Sequence, residues 1–320
     1  MSFRYVLRRL AQAVPTVVGI LVITFVLIQM APGDAADTLS EGDATYTSQL
    51  RAQMHLDRPL AEQFWTYAKR VLRGDLGVSS TQNGRSVSGL IGEYLPRTVL
   101  LMGTALVLSS LCGIALATRA GRRPHGLLDS SVSLVALLGY ALPVMWLGQL
   151  AILIFGLRAG LFPVGGMTDP RTKYSGIEHL MDVGAHLALP VLVLAVSELA
   201  MVYRVTRTGI RQELQKEYVR TAYAKGVSPD RVLAHHAMRH ALLPVATIIG
   251  TRVGFLFSGS VIVERLFAWP GMGTLLITSA ERRDRPVVLG IVLVVAFTLV
   301  AATLVTDLFY AVIDPRIRYD

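Results

Sequence analysis

The chain has 320 residues and a mean hydropathy of +0.51; 52% of its residues are hydrophobic and only 17% charged. Soluble proteins carry about a quarter charged residues. This composition therefore excludes an ordinary soluble domain, and apolar runs longer than about 18 residues indicate an integral membrane protein built of helices. The net charge of +9 is spread over the loops between those runs rather than gathered into a nucleic-acid footprint, and a single cysteine, Cys112, excludes a disulfide framework or a cysteine metal centre within the chain.

Arg4, Arg8 and Arg9 precede an apolar run from Leu10 to Ala31. At 1.5 Å per residue it spans roughly 30 Å, a full bilayer core, and it is longer than the apolar region of a signal peptide, at about 7–15 residues. It is read as a retained first helix. Residues 32–96 follow as a long loop whose clearest element is Asp57 to Gly74. There Leu60, Phe64, Ala68, Val71 and Leu72 share a helical face, with Asp57 as cap and Gly74 as stop. That amphipathic helix is expected to lie on the membrane surface or on the outer ends of a bundle. A second span is predicted from Thr98 to Thr118, and a third from Leu128 to Phe155, kinked at Pro143. The fourth covers Gly184 to Val205, the fifth Leu243 to Val263, and the sixth Val287 to Ile313.

Charge sets the orientation of these six. With the N-terminus in the cytosol, segments 1–9, 119–126, 204–241 and 314–320 hold 16 Lys and Arg against 5 acids, whereas 32–97, 157–183 and 264–286 hold 14 of each. Basic loops stay inside during insertion. The expected fold is thus an all-α integral membrane protein with six transmembrane helices, both termini cytosolic, and a large first external loop.

The longest polar stretch on the inner side, 211–244, organises the rest. One short helix carries Glu217, Tyr218, Val219, Arg220, Thr221, Ala222, Tyr223 and Ala224 and stops at Gly226, which tolerates a left-handed backbone. The next starts at Ser228-Pro229-Asp230, with Ser as cap and Pro in the first turn. Such an elbow is expected to be too small to bury its apolar face alone and so to be covered by a partner. His235, His236 and His240 lie in it without an accompanying carboxylate or cysteine ligand, so packing or interface roles are expected of them rather than metal binding. Neither a phosphate-binding Gly-x-x-x-x-Gly-Lys-Ser/Thr loop nor a Gly-x-Ser-x-Gly or His-Glu-x-x-His motif occurs, so no catalytic, cofactor or metal site is expected and any ATP-driven work requires a separate subunit.

Several short motifs follow one another along the chain: Tyr5 to Leu10, Ala31-Pro32-Gly33-Asp34, Asp57-Arg58-Pro59-Leu60, Gly74-Asp75-Leu76-Gly77, Leu142-Pro143, Pro163-Val164-Gly165-Gly166, Trp269-Pro270-Gly271-Met272-Gly273 and Asp314-Pro315-Arg316. With Tyr218-Val219-Arg220-Thr221-Ala222, Ala224-Lys225-Gly226 and His240-Ala241-Leu242-Leu243-Pro244, the chain resembles the membrane subunit of an ABC importer in the dipeptide/oligopeptide permease family over nearly its whole length. Residues 217–226 are similar to that family's Glu-Ala-Ala…Gly coupling segment, although the first three places here read Arg220-Thr221-Ala222. The resemblance implies the type I importer fold, divided into the first helix (1–31), an external loop (32–96) and a five-helix permease core (97–320) containing the coupling segment 211–244. It also implies a prokaryotic inner (plasma) membrane location. The partners it implies are a second, similar permease, two ATPase subunits, an external substrate-binding protein and membrane lipid. Peptides are the expected cargo, with haem, nickel complexes or sugars as alternatives; a gradient-driven transporter or a polytopic membrane enzyme are readings of another class.

On that resemblance, Glu217 to Tyr223 with Lys225 and Gly226 would seat in an ATPase groove. Tyr218, Val219 and Tyr223 would supply apolar contact, and Arg211, Lys216, Arg220 and Lys225 the flanking charge. Glu198 and Arg252 are charges at bilayer depth, where an isolated charge costs at least about 2.5 kcal/mol. They are expected to pair, either as a structural ion pair or along a substrate path, with Asp307 a third candidate near the inner interface. Phe267, Trp269, Pro270, Gly271, Met272 and Gly273 form a candidate outer gate. In it the glycines are expected to permit positive φ, and the aromatics to serve either as a plug or as an interfacial belt.

Overall fold

The computed structural model describes residues 3–30, 58–122, 126–172 and 174–313. The motifs at 31–34 and 314–316, Asp57, and the side chain of Asp307 lie outside what is described. The described chain is helical, with a single isolated bridge between Val78 and Ser86. In order come α1 (Phe3–Met30), α2 (Leu60–Leu72), α3 (Val87–Arg122), α4 (Leu127–Ala141), α5 (Val144–Ala151, continued by a π-helical stretch Ile152–Arg158) and α6 (Ile177–Glu213). They are followed by α7 (Glu217–Ala224), α8 (229–241, with wide π turns over Val232–Ala237), α9 (Leu243–Phe255), α10 (Val261–Leu266), α11 (Met272–Glu281) and α12 (Arg285–Ile313).

Four helical stretches are long and apolar enough to cross a membrane: Ala11–Met30, Val87–Gly121, Ile177–Glu213 and Arg285–Thr306. A fifth is the pair Asp129–Ala141 and Val144–Arg158, bent by 108°. This corrects the expected kink at Pro143. The proline ring forces its predecessor out of the α region, and both Leu142 (ψ 137°) and Pro143 (ψ 132°) are extended, so the helix is broken rather than bent. The expected fifth span, Leu243 to Val263, is also interrupted. Gly259 sits at φ +70° and Ser260 is extended, leaving α9 with 13 residues, about 20 Å against a core of roughly 30 Å.

The chain divides into two compact units, Met1–Pro96 with Thr274–Asp320, and Arg97–Gly273. In the first, α1 packs along α12, and α2 lies on both. Leu21, Ala68, Val71 and Leu293 form its core, with Phe64 and Tyr67 edging onto Phe25. Leu60 and Leu72, expected on one face with Phe64, Ala68 and Val71, are the first and last residues of α2 and are 62% and 70% exposed. Gly74 (φ +80°) stops that helix as its sequence suggests.

Asp284 holds the turn before α3. Fully buried, it accepts hydrogen bonds from the hydroxyls of Ser79, Ser80 and Thr81 and from the backbone N–H of Ser80 (3.2 Å) and Thr81 (3.3 Å). Burial alone would raise its pKa, but these donors outweigh it and hold the carboxyl below the usual aspartate range. A depressed folded-state pKa means that the stabilisation is complete above the ordinary value of about 3.9 and is lost as pH falls through the lower, folded one. The protection factors for hydrogen exchange over residues 79–87, which are corrected for the intrinsic rate at each pH, should therefore fall below about pH 4, and Asp284→Asn should show low protection already at neutral pH. Equal protection in both proteins at neutral pH would contradict the assignment.

Candidate functional site

The larger unit brings together three groups of residues. The first is the elbow at the end of α6. Leu214 closes that helix, Lys216 is extended (ψ 150°), and α7 starts at Glu217. It ends at Lys225 and Gly226, whose φ is +77°. A Cβ at Gly226 would meet nothing within 4 Å, so only backbone strain resists a side chain there.

The elbow buries by itself part of the apolar face for which a partner is expected. α8 folds back on α7 and on the end of α6. Val219, Ala222 and Val232 bury one another with Leu214 and Val227, and Ile210, Leu233, Ala237 and Ala241 form a second cluster. Val219 is fully buried and so does not face outward, whereas Tyr218 and Tyr223 remain 38% and 44% exposed. Around them Arg211, Lys216, Arg220 and Lys225 are exposed. Tyr218 is held in place: its hydroxyl donates to Glu213 at 2.6 Å and its ring meets His240 edge-on at 5.7 Å. Burial, then the Glu213 carboxylate, push its pKa up to about 12, so the phenol stays a neutral donor. Arg220 pairs with Glu217 at 2.9 Å on the open surface, an arrangement worth at most about 1 kcal/mol.

The second group is the set of charges within the helices. Arg252 Nη1 lies 3.0 Å from Glu198 Oε1, joining α9 to α6, and the two side chains are 45% and 27% exposed. A deeper site escaped the sequence reading. Asp129, 2% exposed in the first turn of α4, accepts two bonds from Arg207 (Nε 2.5 Å, Nη2 2.7 Å) and one from Tyr203 Oη (2.9 Å) on α6. An acid in the first turn of a helix ordinarily reads as a solvated cap. Its one distinguishing signal was that it stands, like Glu198, inside an apolar run with an arginine at the matching depth on an antiparallel neighbour.

The third group is the segment 259–273. Phe267, Trp269 and Met272 are completely or almost completely buried, so the interfacial-belt reading fails. Trp269 Nε1 donates to Arg97 O at 3.0 Å, and Phe267 O accepts from Gly166 N–H at 2.8 Å. The glycines act differently from expectation. Positive φ falls on Ala268 (+48°) and Gly259 (+70°), not on Gly271 or Gly273. Those two lack a side chain for want of space: a Cβ on Gly271 would lie 2.5 Å from both Glu264 Oε1 and Thr98 Oγ1, and one on Gly273 2.9 Å from Glu264 Oε2. Glu264, also unremarked in the sequence, is fully buried and accepts from Thr98 Oγ1 at 2.9 Å, while Thr98 accepts from Met272 N–H at 2.7 Å.

Residues 109–319 match the family described as binding-protein-dependent transport system inner membrane component, and residues 2–102 match its N-terminal counterpart. The chain is 34% identical over 317 residues to the oligopeptide transport system permease protein AppB of Bacillus subtilis (strain 168), covering 98% of this chain and 99% of that one. It is 35% identical over 340 residues to the dipeptide transport system permease protein DppB of Escherichia coli (strain K12), covering 99% of each. To the di/tripeptide transport system permease protein DppB of Pseudomonas aeruginosa (strain UCBPP-PA14) it is 36% identical over 336 residues, covering 98% of each.

The two ion pairs differ in burial, and their substitutions should differ accordingly. Asp129→Asn removes the buried partner of an Arg207 that is itself 34% exposed, and should cost on the order of 2 kcal/mol of stability. Glu198→Gln, at a half-open site, should cost about 1 kcal/mol or less. Thermal unfolding in detergent measures both; an Asp129→Asn loss no larger than that of Glu198→Gln would refute the ranking.

Proposed function

The chain belongs to the binding-protein-dependent transport system inner membrane component family, and from that premise we propose that it carries di- or oligopeptides across the membrane as one half of a translocation pathway. It is a non-catalytic, multi-pass permease subunit of an ABC importer in a bacterial plasma membrane. The peptide cargo rests on relatives named for oligopeptides, dipeptides and di/tripeptides. In this reading the chain crosses the membrane six times with both termini in the cytosol, beside a second permease, above two ATPase subunits and below an external binding protein.

One observation carries the coupling role. The elbow keeps its own core inside and presents two tyrosines ringed by four cations outward, at the end of a helix that continues unbroken for 37 residues. Tyr218 and Tyr223, with Arg211, Lys216, Glu217, Arg220, Thr221 and Lys225 around them, would seat in an ATPase groove, while Val219 and Ala222 hold the helix from behind. When ATP draws the two ATPases together, the seated helices move with them, and α6 carries that motion into the membrane. Glu198 and Arg252 act as a structural pair between α6 and α9, and Asp307 as a residue near the inner interface.

Uptake by the complete complex in liposomes tests this. Labelled dipeptide should accumulate only with ATP inside and binding protein outside. Gly226→Val places a β-branched residue at a positive φ, a strain of at least about 1–2 kcal/mol, and should leave the complex assembled while uptake drops several-fold. Wild-type uptake in that variant would remove Gly226 from the coupling device, and ATP-independent uptake would remove the importer reading altogether.

The segment Phe267 to Gly273 is proposed as the outer gate, closed in the arrangement described here because Met272 has no exposed surface. With Cys112 replaced, Met272→Cys should resist a membrane-impermeant thiol reagent at rest. It should react several times faster in an ATP-trapped, hydrolysis-deficient complex with binding protein present. Equal rates in both states would show that the segment is a fixed part of the fold.

A further inference from the structure

A groove of about 380 Å³ lies within the first unit, between the 79–85 turn, the start of α3 and the end of α11. Its lining includes Gln82, Asn83 and Arg85 of the turn, Tyr94 of α3, Thr278 of α11 and Arg282 just beyond that helix. One carboxylate holds both walls. Asp284, buried two residues after Arg282, accepts from the hydroxyls of Ser79, Ser80 and Thr81, so the bend bearing Arg282 is tied to the turn bearing Arg85. Each of these segments also carries a left-handed residue: Asn83 (φ +50°) and Arg283 (φ +57°) are two of the three non-glycine residues with positive φ among the described residues. That conformation costs about 1–2 kcal/mol per residue and persists where the surroundings fix it. A polar concavity fixed in this way meets a ligand without further ordering.

The charges around the groove are not balanced. Arg85 is paired with Glu93 at 2.7 Å. Arg282 and Arg283 are exposed, and no carboxylate among the described residues pairs with either. Residues 281–285 hold three arginines against two acids, and one of those acids, Asp284, is turned inward onto hydroxyls. Gln82 and Asn83 add side-chain amides to the lining that Arg282 completes. A guanidinium with neutral donors beside it is suited to a carboxylate. No acid lines the groove, so the ammonium terminus of a free peptide would find no partner there. A carboxylate carried on the surface of a folded protein has no such second charge to place.

We propose that this groove is a docking point for the external binding protein and receives a surface carboxylate of that protein on Arg282. The inference rests on the importer reading and on its orientation, in which segments 32–97 and 264–286 face outward. Titrating the binding protein onto the complete complex in phosphatidylcholine nanodiscs tests it. Arg282→Gln should weaken association about five-fold, the worth of one exposed ion pair, and Arg282→Glu more than about ten-fold through like-charge repulsion. Affinity should also fall more steeply with salt in the wild type than in Arg282→Gln. Unchanged affinity in Arg282→Glu would overturn the proposal, and if peptide uptake were lost in that same variant the groove would pass to the cargo instead. A second reading uses Arg282→Lys, whose amine a carbodiimide can join to a carboxylate in contact with it. An amide between position 282 and an acid of the binding protein supports the docking point, and one formed only within the membrane complex overturns it. ATP-driven uptake of labelled dipeptide by the wild-type complex reports on the importer reading separately, so failure of one is not mistaken for failure of the other.

Discussion

A carboxylate sealed away from solvent at Glu264 sets conditions on every residue near it. A buried carboxyl group left without hydrogen bonds costs about 1–3 kcal/mol, and partners can approach only where nothing else fills the space. Thr98 donates one bond to the carboxyl group and in turn accepts one from the backbone N–H of Met272. Gly259, Gly271 and Gly273 leave room for the carboxyl group, since a Cβ on any of them would come within 2.9 Å of its atoms. The remaining features of the segment follow. α9 must stop before Gly259, Ala268 must take a positive φ to turn the chain, and Trp269 is carried inward, where its indole N–H finds Arg97 O. Sealed beneath these contacts, the aromatic pair Phe267 and Trp269 joins the core built on Leu101, Leu189 and Val193.

The helices themselves were legible because hydropathy and length suffice to identify them: α1, α3, α6 and α12 all contain the apolar runs expected, and α7 starts and stops at Glu217 and Gly226 as its sequence suggests. What was illegible is what depends on partners distant in sequence. Pro143 announces a disturbance, but whether a helix bends or breaks is decided by what its two halves pack against. Val219 reads as an outward apolar residue until α8 is known to fold back with Val232. Gly271 and Gly273 read as flexible, yet they are there because Glu264 occupies their side-chain space. Asp129 resembled a solvated cap because its partner, Arg207, lies 78 residues away.

α6 is the element on which the larger unit is assembled. Its 37 residues would extend about 55 Å. Neighbouring backbones approach it through glycines: a Cβ at Gly113 would lie 2.9 Å from Val202, at Gly121 3.0 Å from Ile210, and at Gly139 2.8 Å from Val196, while Gly209 of α6 itself admits Ala241 of α8. Within lipid the hydrophobic effect does not draw helices together, and small residues that permit close backbone contact supply the dispersion that does. The ion pairs to Asp129 and Arg252 add direction to that packing. A helix fixed on several sides moves as a unit or not at all, which is the property required of a strut.

The elbow's private core has a consequence for how fast and how reversibly it can meet another protein. Ordering a backbone residue costs roughly 1–2 kcal/mol, and a loose eight-residue segment that became helical only on contact would forfeit that sum at each encounter. Here Val219, Ala222 and Val232 have already fixed α7. If a partner seats on α7 as proposed, this side of the contact is already folded, and the elbow itself would lose little chain entropy on association. A joint of that kind would open and close without refolding, its lifetime set by the seat rather than by the helix.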